Sequence, residues 1–318
     1  MPQEVEASVL FVPETEALRF LPEGPYRYGS NRLSWVAITH GADAKSGSLN
    51  VFDFGNGSNR NIPLTGRPGF AFPTNRPNVF VVGMERSVDL VDIESGEVQH
   101  WIGGIDAQVE GTIINDGVTF DGHLVFGCKE LTFSKKIAGL YLLRRGEQTP
   151  VQLLDNQICS NGKAVRNGRD GVYEFFDICS PSQQVLRWTL DTNSGKVTEP
   201  QVVVDLVGSD VFPDGMIMTP DEKSLIVAIY DPRESNHGEA RQFSIATGQL
   251  ERTWICPASP RVTCPQLIER NGRVELLLTT ADEGMSPELR AKSTNAGALF
   301  VGETDFDSAG ECPAFELK

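Results

Sequence analysis

The sequence predicts an all-β fold. We expect a six-bladed β-propeller with four antiparallel strands per blade, forming one domain over residues 1–318, its ring closed by the N-terminal strand. Three observations lead there. Runs of strand length, about 4–7 residues, fill the chain, and no window sustains the 3.6-residue apolar period of a helix. Asn-Gly, Asp-Gly and Ser-Gly pairs punctuate these runs and supply the left-handed backbone positions that tight hairpins require. Four polar-glycine signatures each lead into a strand: Pro22-Glu23-Gly24-Pro25, Asn115-Asp116-Gly117, Ser160-Asn161-Gly162 and Pro213-Asp214-Gly215. From Asn115 to Asn161 is 46 residues and from Asn161 to Asp214 is 53, a period suited to one four-stranded blade.

Taken in order, the innermost strands begin near Tyr26, Gly69, Asp116, Gly162, Gly215 and Pro265. Blade one continues through residues 33–39 and 48–54, blade two through 78–83 and 88–93, and blade three through 124–127 and 139–143. Blade four continues through 172–177 and 185–190, blade five through 225–229, and blade six through 274–280. Polar turns at 92–96, 191–195 and 245–248 lead into outer strands at 97–102, 196–206 and 249–255. The sixth blade lacks an outer strand after residues 298–301. The N-terminal run 6–12 fits that gap, and joining the chain ends in this way removes an exposed sheet edge.

Composition narrows the function. Forty-three acidic residues against 28 basic ones give a net charge of -15, with no basic block, which argues against nucleic acid and anionic membranes as partners. No apolar run reaches membrane-span length and no signal peptide is visible. Six cysteines without a Cys-x-x-Cys spacing read as reduced thiols. The expectation is a cytoplasmic protein, a monomer or small homo-oligomer, acting on a small molecule.

In a propeller the innermost strands line the channel, so residues at equivalent blade positions converge. Glu23, Asn115, Asn161 and Asp214 hold such positions. Any one signature alone is a plain β-turn; four at one blade position suggest a shared site. Carboxylate and amide oxygens suit a hard cation such as calcium, magnesium or manganese. Without one, Glu23 and Asp214 would repel each other and one would tend to gain a proton. His40, His100, His123 and His237 form no spaced cluster, which argues against a multi-histidine zinc site. Gly-x-Ser-x-Gly and the dinucleotide and Walker patterns are absent. What remains is a cation acting as a Lewis acid on a carbonyl or phosphoryl oxygen, with Asp214 as ligand and as the group that orients or deprotonates an attacking water. Lys129 and Glu130 follow the inner strand pair of blade three toward the mouth, with Glu130 a candidate substrate contact. Cys128, Cys159 and Cys264 read as small buried hydrophobes. Trp35, Trp101, Trp188 and Trp254 are placed on outer or connecting strands as blade-to-blade packing.

These signatures, in this order, resemble those of the SMP-30/gluconolactonase/luciferin-regenerating-enzyme-like proteins, which are six-bladed propellers. The match runs through Glu23-Gly24-Pro25, Asn115-Asp116-Gly117 with the strand at 121–127, Asn161 to Asp177 and Pro181, Pro213 to Met216, residues 276–281 and residues 297–300. It covers about residues 20–302. The resemblance implies that Glu23, Asn161 and Asp214 hold one divalent metal, usually Ca2+, with Zn2+, Mn2+, Mg2+ or Fe2+ as alternatives, and that Asn115 contacts substrate. It implies a carboxylic-ester hydrolase that opens a sugar lactone or a related small lactone or ester by attack of water on a metal-polarised carbonyl. Two departures stand out. Ile113 occupies the position where the sugar-lactone enzymes often carry an arginine, and Gly127-Cys128 stands where Gly-Thr is usual. Both suggest a less polar pocket and a less hydroxylated substrate. Two other readings are an organophosphate hydrolase and a non-catalytic propeller with a structural metal. Exposed apolar rim patches and a plugged channel would mark the second of these.

Overall fold

A computed structural model describes residues 2–29 and 31–318. Six antiparallel sheets are arranged as the blades of a propeller. Their inner strands are Pro22–Tyr28, Pro68–Pro73, Thr112–Phe120, Ser160–Arg169, Phe212–Met218 and Val262–Arg270. The second strands, such as Ser224–Tyr230, are apolar along nearly their whole length and buried, because a neighbouring blade covers each face.

The hydrophobic core is divided among the blade junctions. Val36, Leu49 and Ile62 of blade one meet Ala71, Phe80 and Val82 of blade two. Phe120, Val125 and Leu140 of blade three meet Tyr173, Phe175 and Leu190 of blade four. Trp254, on the outer strand of blade five, packs in this way and donates its indole N–H to the Glu303 carbonyl of blade six at 2.9 Å. Trp35 differs from expectation. It lies on the second strand of blade one, Arg32–Ala37, fully buried against Ile268, Leu277 and Leu299 of blade six.

The chain ends join as the N-terminal sequence suggests, and add one more contact. Ser8–Phe11 forms the outer strand of blade six, antiparallel to Leu299–Glu303. Gln3–Glu6 runs parallel to Leu250–Pro257 on the edge of blade five, so the first residues clasp two blades. The turns at Gly96, Gly195 and Gly248 have φ of 76°, 67° and 68°, the left-handed conformation glycine adopts without steric cost. The Asp92 carboxylate accepts from the Glu94 and Ser95 N–H groups and so fixes the first of these turns. The outer strand expected at 196–206 is split into Lys196–Val197 and Gln201–Asp205. Pro200 lies between them, and it has no N–H to continue a ladder.

The four polar-glycine signatures are not turns ahead of the inner strands. They lie within them, at β-bulges. The register slips between Glu23 and Tyr26, Ile114 and Gly117, Asn161 and Lys163, and Pro213 and Met216. It also slips between Pro68 and Phe70 in blade two and between Val262 and Cys264 in blade six. Each slip adds one residue on the inner strand, which bends it and re-aims side chains. At three of these places, Gly69, Gly162 and Gly215, glycine is required by proximity. A Cβ on Gly69 would lie 1.9 Å from the Asn115 carbonyl oxygen, and one on Gly162 would lie 2.5 Å from that of Asp214. The inner strands touch where they bulge.

The segment 304–318 crosses the far end of the channel. The Pro313 carbonyl accepts from the Tyr26 hydroxyl at 2.7 Å and from the Thr119 hydroxyl at 2.7 Å. Phe315 is fully buried, bridging to Thr74. These partners sit on the C-terminal side of each bulge, on the inner strands or just past them. The C-terminal segment therefore closes the end opposite the signatures.

Candidate active site at the channel mouth

Four blades deliver the predicted oxygen donors to one place. The Asn115 amide donates to Asn161 Oδ1 at 3.2 Å and to the Ser160 carbonyl at 2.9 Å, tying blade three to blade four. The Asn161 amide donates to Ser180 Oγ at 3.0 Å and lies close enough to Asp214 to stabilise its charge. Glu23 and Asp214 share one electrostatic environment. Burial, then the charges of Asp214 and Asp116, push the Glu23 carboxyl well above the ordinary carboxylate range. Burial, then Asp116, does the same to Asp214. The repulsion expected between distant carboxylates is thus a property of the folded chain.

Glu130 behaves differently. Its carboxylate turns back onto its own loop, accepting from the Thr132 hydroxyl at 2.7 Å and from the Ser134 N–H at 2.8 Å. Those hydrogen bonds, the Ser134 N–H first, hold its carboxyl down to about 2. Glu130, suggested as a substrate contact, is held by its own loop in this structure. Its oxygens organise the loop after the strand and do not join the other four residues.

Four further side chains enter the same neighbourhood. Asp116 follows Asn115 in the bulge, and burial raises its carboxyl. Its place within a quoted signature was the available signal, hidden because that signature reads as a turn. Lys129, half-buried on the second strand of blade three, pairs in register with Ile113 and its charge favours the ionised forms of both Glu23 and Asp214. Glu283, whose charge reaches Asp214, comes from a loop of blade six, and Tyr230, whose hydroxyl donates to the Glu283 carbonyl at 3.5 Å, ends the second strand of blade five. Neither carries a local sequence signal. The thiols of Cys128, Cys159 and Cys264 are buried as expected. Cys159 accepts a long contact from the Asn115 amide at 3.9 Å, and burial pushes its thiol well up, so it is not a ready nucleophile.

Among the described residues, no group of three or more His, Cys, Asp or Glu has metal-holding geometry. The set proposed from sequence mixes two carboxylates with an amide, and its chemistry fits a hard divalent cation. Glu23 and Asp214 are forced together with raised carboxyls, and a double positive charge between them would relieve what the protein alone does not.

The family model described as SMP-30/Gluconolactonase/LRE-like region matches residues 21–282. The chain belongs to this family. A Bacillus subtilis (strain 168) protein named "Putative sugar lactone lactonase YvrE" is 29% identical over 185 residues, which cover 58% of this chain and 59% of that protein. The match thus spans less than two thirds of that relative's length. Among solved structures, a calcium-binding protein, regucalcin, from Agrobacterium tumefaciens str. C58 superposes with a TM-score of 0.82 at 17% identity, covering 100% of both chains. A luciferin-regenerating enzyme superposes with a TM-score of 0.76 at 18% identity, covering 94% of this chain and 95% of its own. At these identities the two structures bear on the fold. No helix among the described residues is long and apolar enough to cross a membrane.

Proposed function

We propose that this protein is a metal-dependent hydrolase that opens a small lactone or related ester. The observation that carries this reading is the meeting of Glu23, Asn115, Asn161 and Asp214 from four blades, with the two carboxylates held in mutual repulsion, in a chain of this family. The lactonase name of the Bacillus relative and the calcium-binding description of the Agrobacterium protein support it. Glu23, Asn161 and Asp214 would hold one divalent cation, most simply Ca2+. Once bound, the cation supplies positive charge that polarises an ester carbonyl.

The chain's own groups supply the rest. Asp214, a buried carboxylate that accepts from the Asn161 amide, orients a water and takes its proton as oxygen bonds to the lactone carbon. The ring C–O bond breaks, the proton passes to the departing ring oxygen, and a hydroxy acid results. Asn115, with its amide fixed by Ser160 and Asn161, presents its remaining oxygen to a substrate hydroxyl. Ile113, two residues before it, is buried and apolar and offers no charge to a polyhydroxylated ring. That favours a less hydroxylated lactone.

A plugged channel was named as a mark of a non-catalytic ring. A plug is present, in the segment 304–318, but at the end away from the carboxylates. The test is a panel of lactones, simple esters and a phosphotriester, assayed with Ca2+, Zn2+, Mn2+ and Fe2+ separately. Turnover of lactones that depends on one ion and is lost in Asp214→Ala supports the reading. Turnover equal in the parent and in Asp214→Ala overturns it.

A further inference from the structure

Lys163 is the second residue after Asn161, on the inner strand of blade four, and its side chain is 0% exposed. The ammonium has two hydrogen-bond acceptors and one ion-pair partner. It donates to the Asn161 carbonyl at 2.6 Å and to Ser160 Oγ at 2.9 Å, and it faces Asp177 Oδ1 at 3.4 Å. Asp177 is its cross-strand partner, and the other oxygen of Asp177 accepts from the Gln157 amide.

The register slip lies between Asn161 and Lys163. The ammonium therefore reaches back across the bulge and grips the main chain of the residue whose side chain faces the channel. Ser160 is held by the same ammonium, and the Ser160 carbonyl is where the Asn115 amide is seated. Both amides of the site thus hang on two residues that Lys163 fixes. Stability alone gives a weak reason for such a group. Removing two charges from water costs several kcal/mol per ion, and apolar replacements of similar volume are often neutral or stabilising. The neighbouring bulges manage without one: blade five has Met216 two residues after Asp214, and blade one has Pro25 two residues after Glu23.

Resting on the cation reading above, we propose that Lys163 is a positioning residue, which with Asp177 and Gln157 locks the blade-four bulge in the form that aims Asn161, and through Ser160 Asn115, at the cation. Outer partners of metal ligands are worth about 10- to 100-fold in affinity, and Lys163 takes that role through the backbone.

The test is calorimetric titration with Ca2+ alone, then Mn2+ alone, of the full-length parent and of Lys163→Met/Asp177→Leu, which removes both charges and leaves neither orphaned. Melting temperature is measured without ions. The expected result is a folded double variant, with a melting temperature close to the parent's and an ion affinity about 10- to 100-fold weaker. A group that only packs the interior would move the melting temperature and leave the affinity alone. A folded double variant that binds as tightly as the parent overturns the proposal while the cation reading stands. A parent that binds neither ion overturns both. Should the double variant not fold, Ser160→Ala takes its place, because it removes one acceptor of the ammonium and a single oxygen. A several-fold loss of ion affinity is then expected, and an unchanged affinity overturns the proposal.

Discussion

Blades one, three, four and five differ from blades two and six in what they place on the same backbone device. All six inner strands slip register at the same level. In the first group the slip carries Glu23, Asn115, Asn161 and Asp214 to the mouth. In blade two it carries Gly69 and Phe70, and Phe70 is fully buried, stacked on Phe72. In blade six it carries Thr263, whose hydroxyl donates to the Pro22 carbonyl of blade one at 2.6 Å. The bulge therefore belongs to the closing of the ring, and the chemistry belongs to the side chain set on it. The two should separate under mutation. Asp214→Ala should reduce lactone turnover by about 10²- to 10⁴-fold, the usual worth of a general base, and abolish ion binding. Its ion-free melting temperature should not fall below the parent's, because one of two repelling carboxylates is gone. Steady-state kinetics and a thermal melt check both halves.

Gly69→Ala is the converse, a change in a blade that supplies no ligand. The new methyl would lie 1.9 Å from the Asn115 carbonyl oxygen and 2.8 Å from its Cα, so backbone must move. Overpacking of this kind costs about 1–3 kcal/mol, read from urea unfolding. Because the displaced strand is the one that bears Asn115, substrate KM should rise as well, although no ligand has been touched. If stability falls with no change in KM, the bulges are less tightly coupled around the ring than their contacts imply.

The sequence exposed the ring and the four donors more readily than their local geometry. Asn-Gly and Asp-Gly pairs are favoured both by hairpin turns and by bulges, and composition alone does not choose. At 92–96 and 191–195 the turn reading is right, with Gly96 and Gly195 at positive φ. At 115–117 and 161–162 it is not, because there glycine answers to a neighbouring strand far away in the chain. Asp116 was hidden for that reason. Glu283 was hidden for another: it reaches the mouth from a connection whose path depends on the assembled ring, while Tyr230 ends an ordinary apolar strand. Glu130 misled because a carboxylate after an inner strand pair resembles a ligand, and only the loop at 131–135 shows where its oxygens point. The C-terminal segment had no repeat to betray it, since it belongs to no blade.

The comparison sharpens with pH. Glu23 and Asp214 have carboxyls raised by burial and by nearby negative charge, and burial also raises Asp177, to about 6. A carboxyl with a higher pKa folded than unfolded binds more protons in the native state. Ion-free stability should then fall as pH rises from about 4, the unfolded carboxylate range, through the raised folded values. Asp214→Asn should flatten that decline in part, leaving the shares that belong to Glu23, Asp116 and Asp177. Saturating Ca2+ should flatten the same part in the parent, because a bound cation favours the ionised ligands. Melting temperatures taken at half-unit pH steps, with and without the ion, resolve this. A decline untouched by Asp214→Asn would place its origin in the other buried carboxyls, Glu23, Asp116 and Asp177.

The smallest effect is expected at Glu130, the one predicted site residue that the fold turns away from the mouth. Its carboxylate takes hydrogen bonds from Thr132, Ser134 and Lys135, all within its own loop, and none from Asn115 or Asn161. Glu130→Gln keeps the shape and one acceptor oxygen but loses the charge that those N–H groups favour. The loop should loosen, visible as faster amide hydrogen exchange at residues 132–135. Ion affinity should stay within about twofold of the parent, because Glu130 lies outside the charges that shift Glu23 and Asp214. A loss of ion binding in Glu130→Gln as large as that in Asp214→Ala would mean that the loop opens in solution and returns this carboxylate to the site.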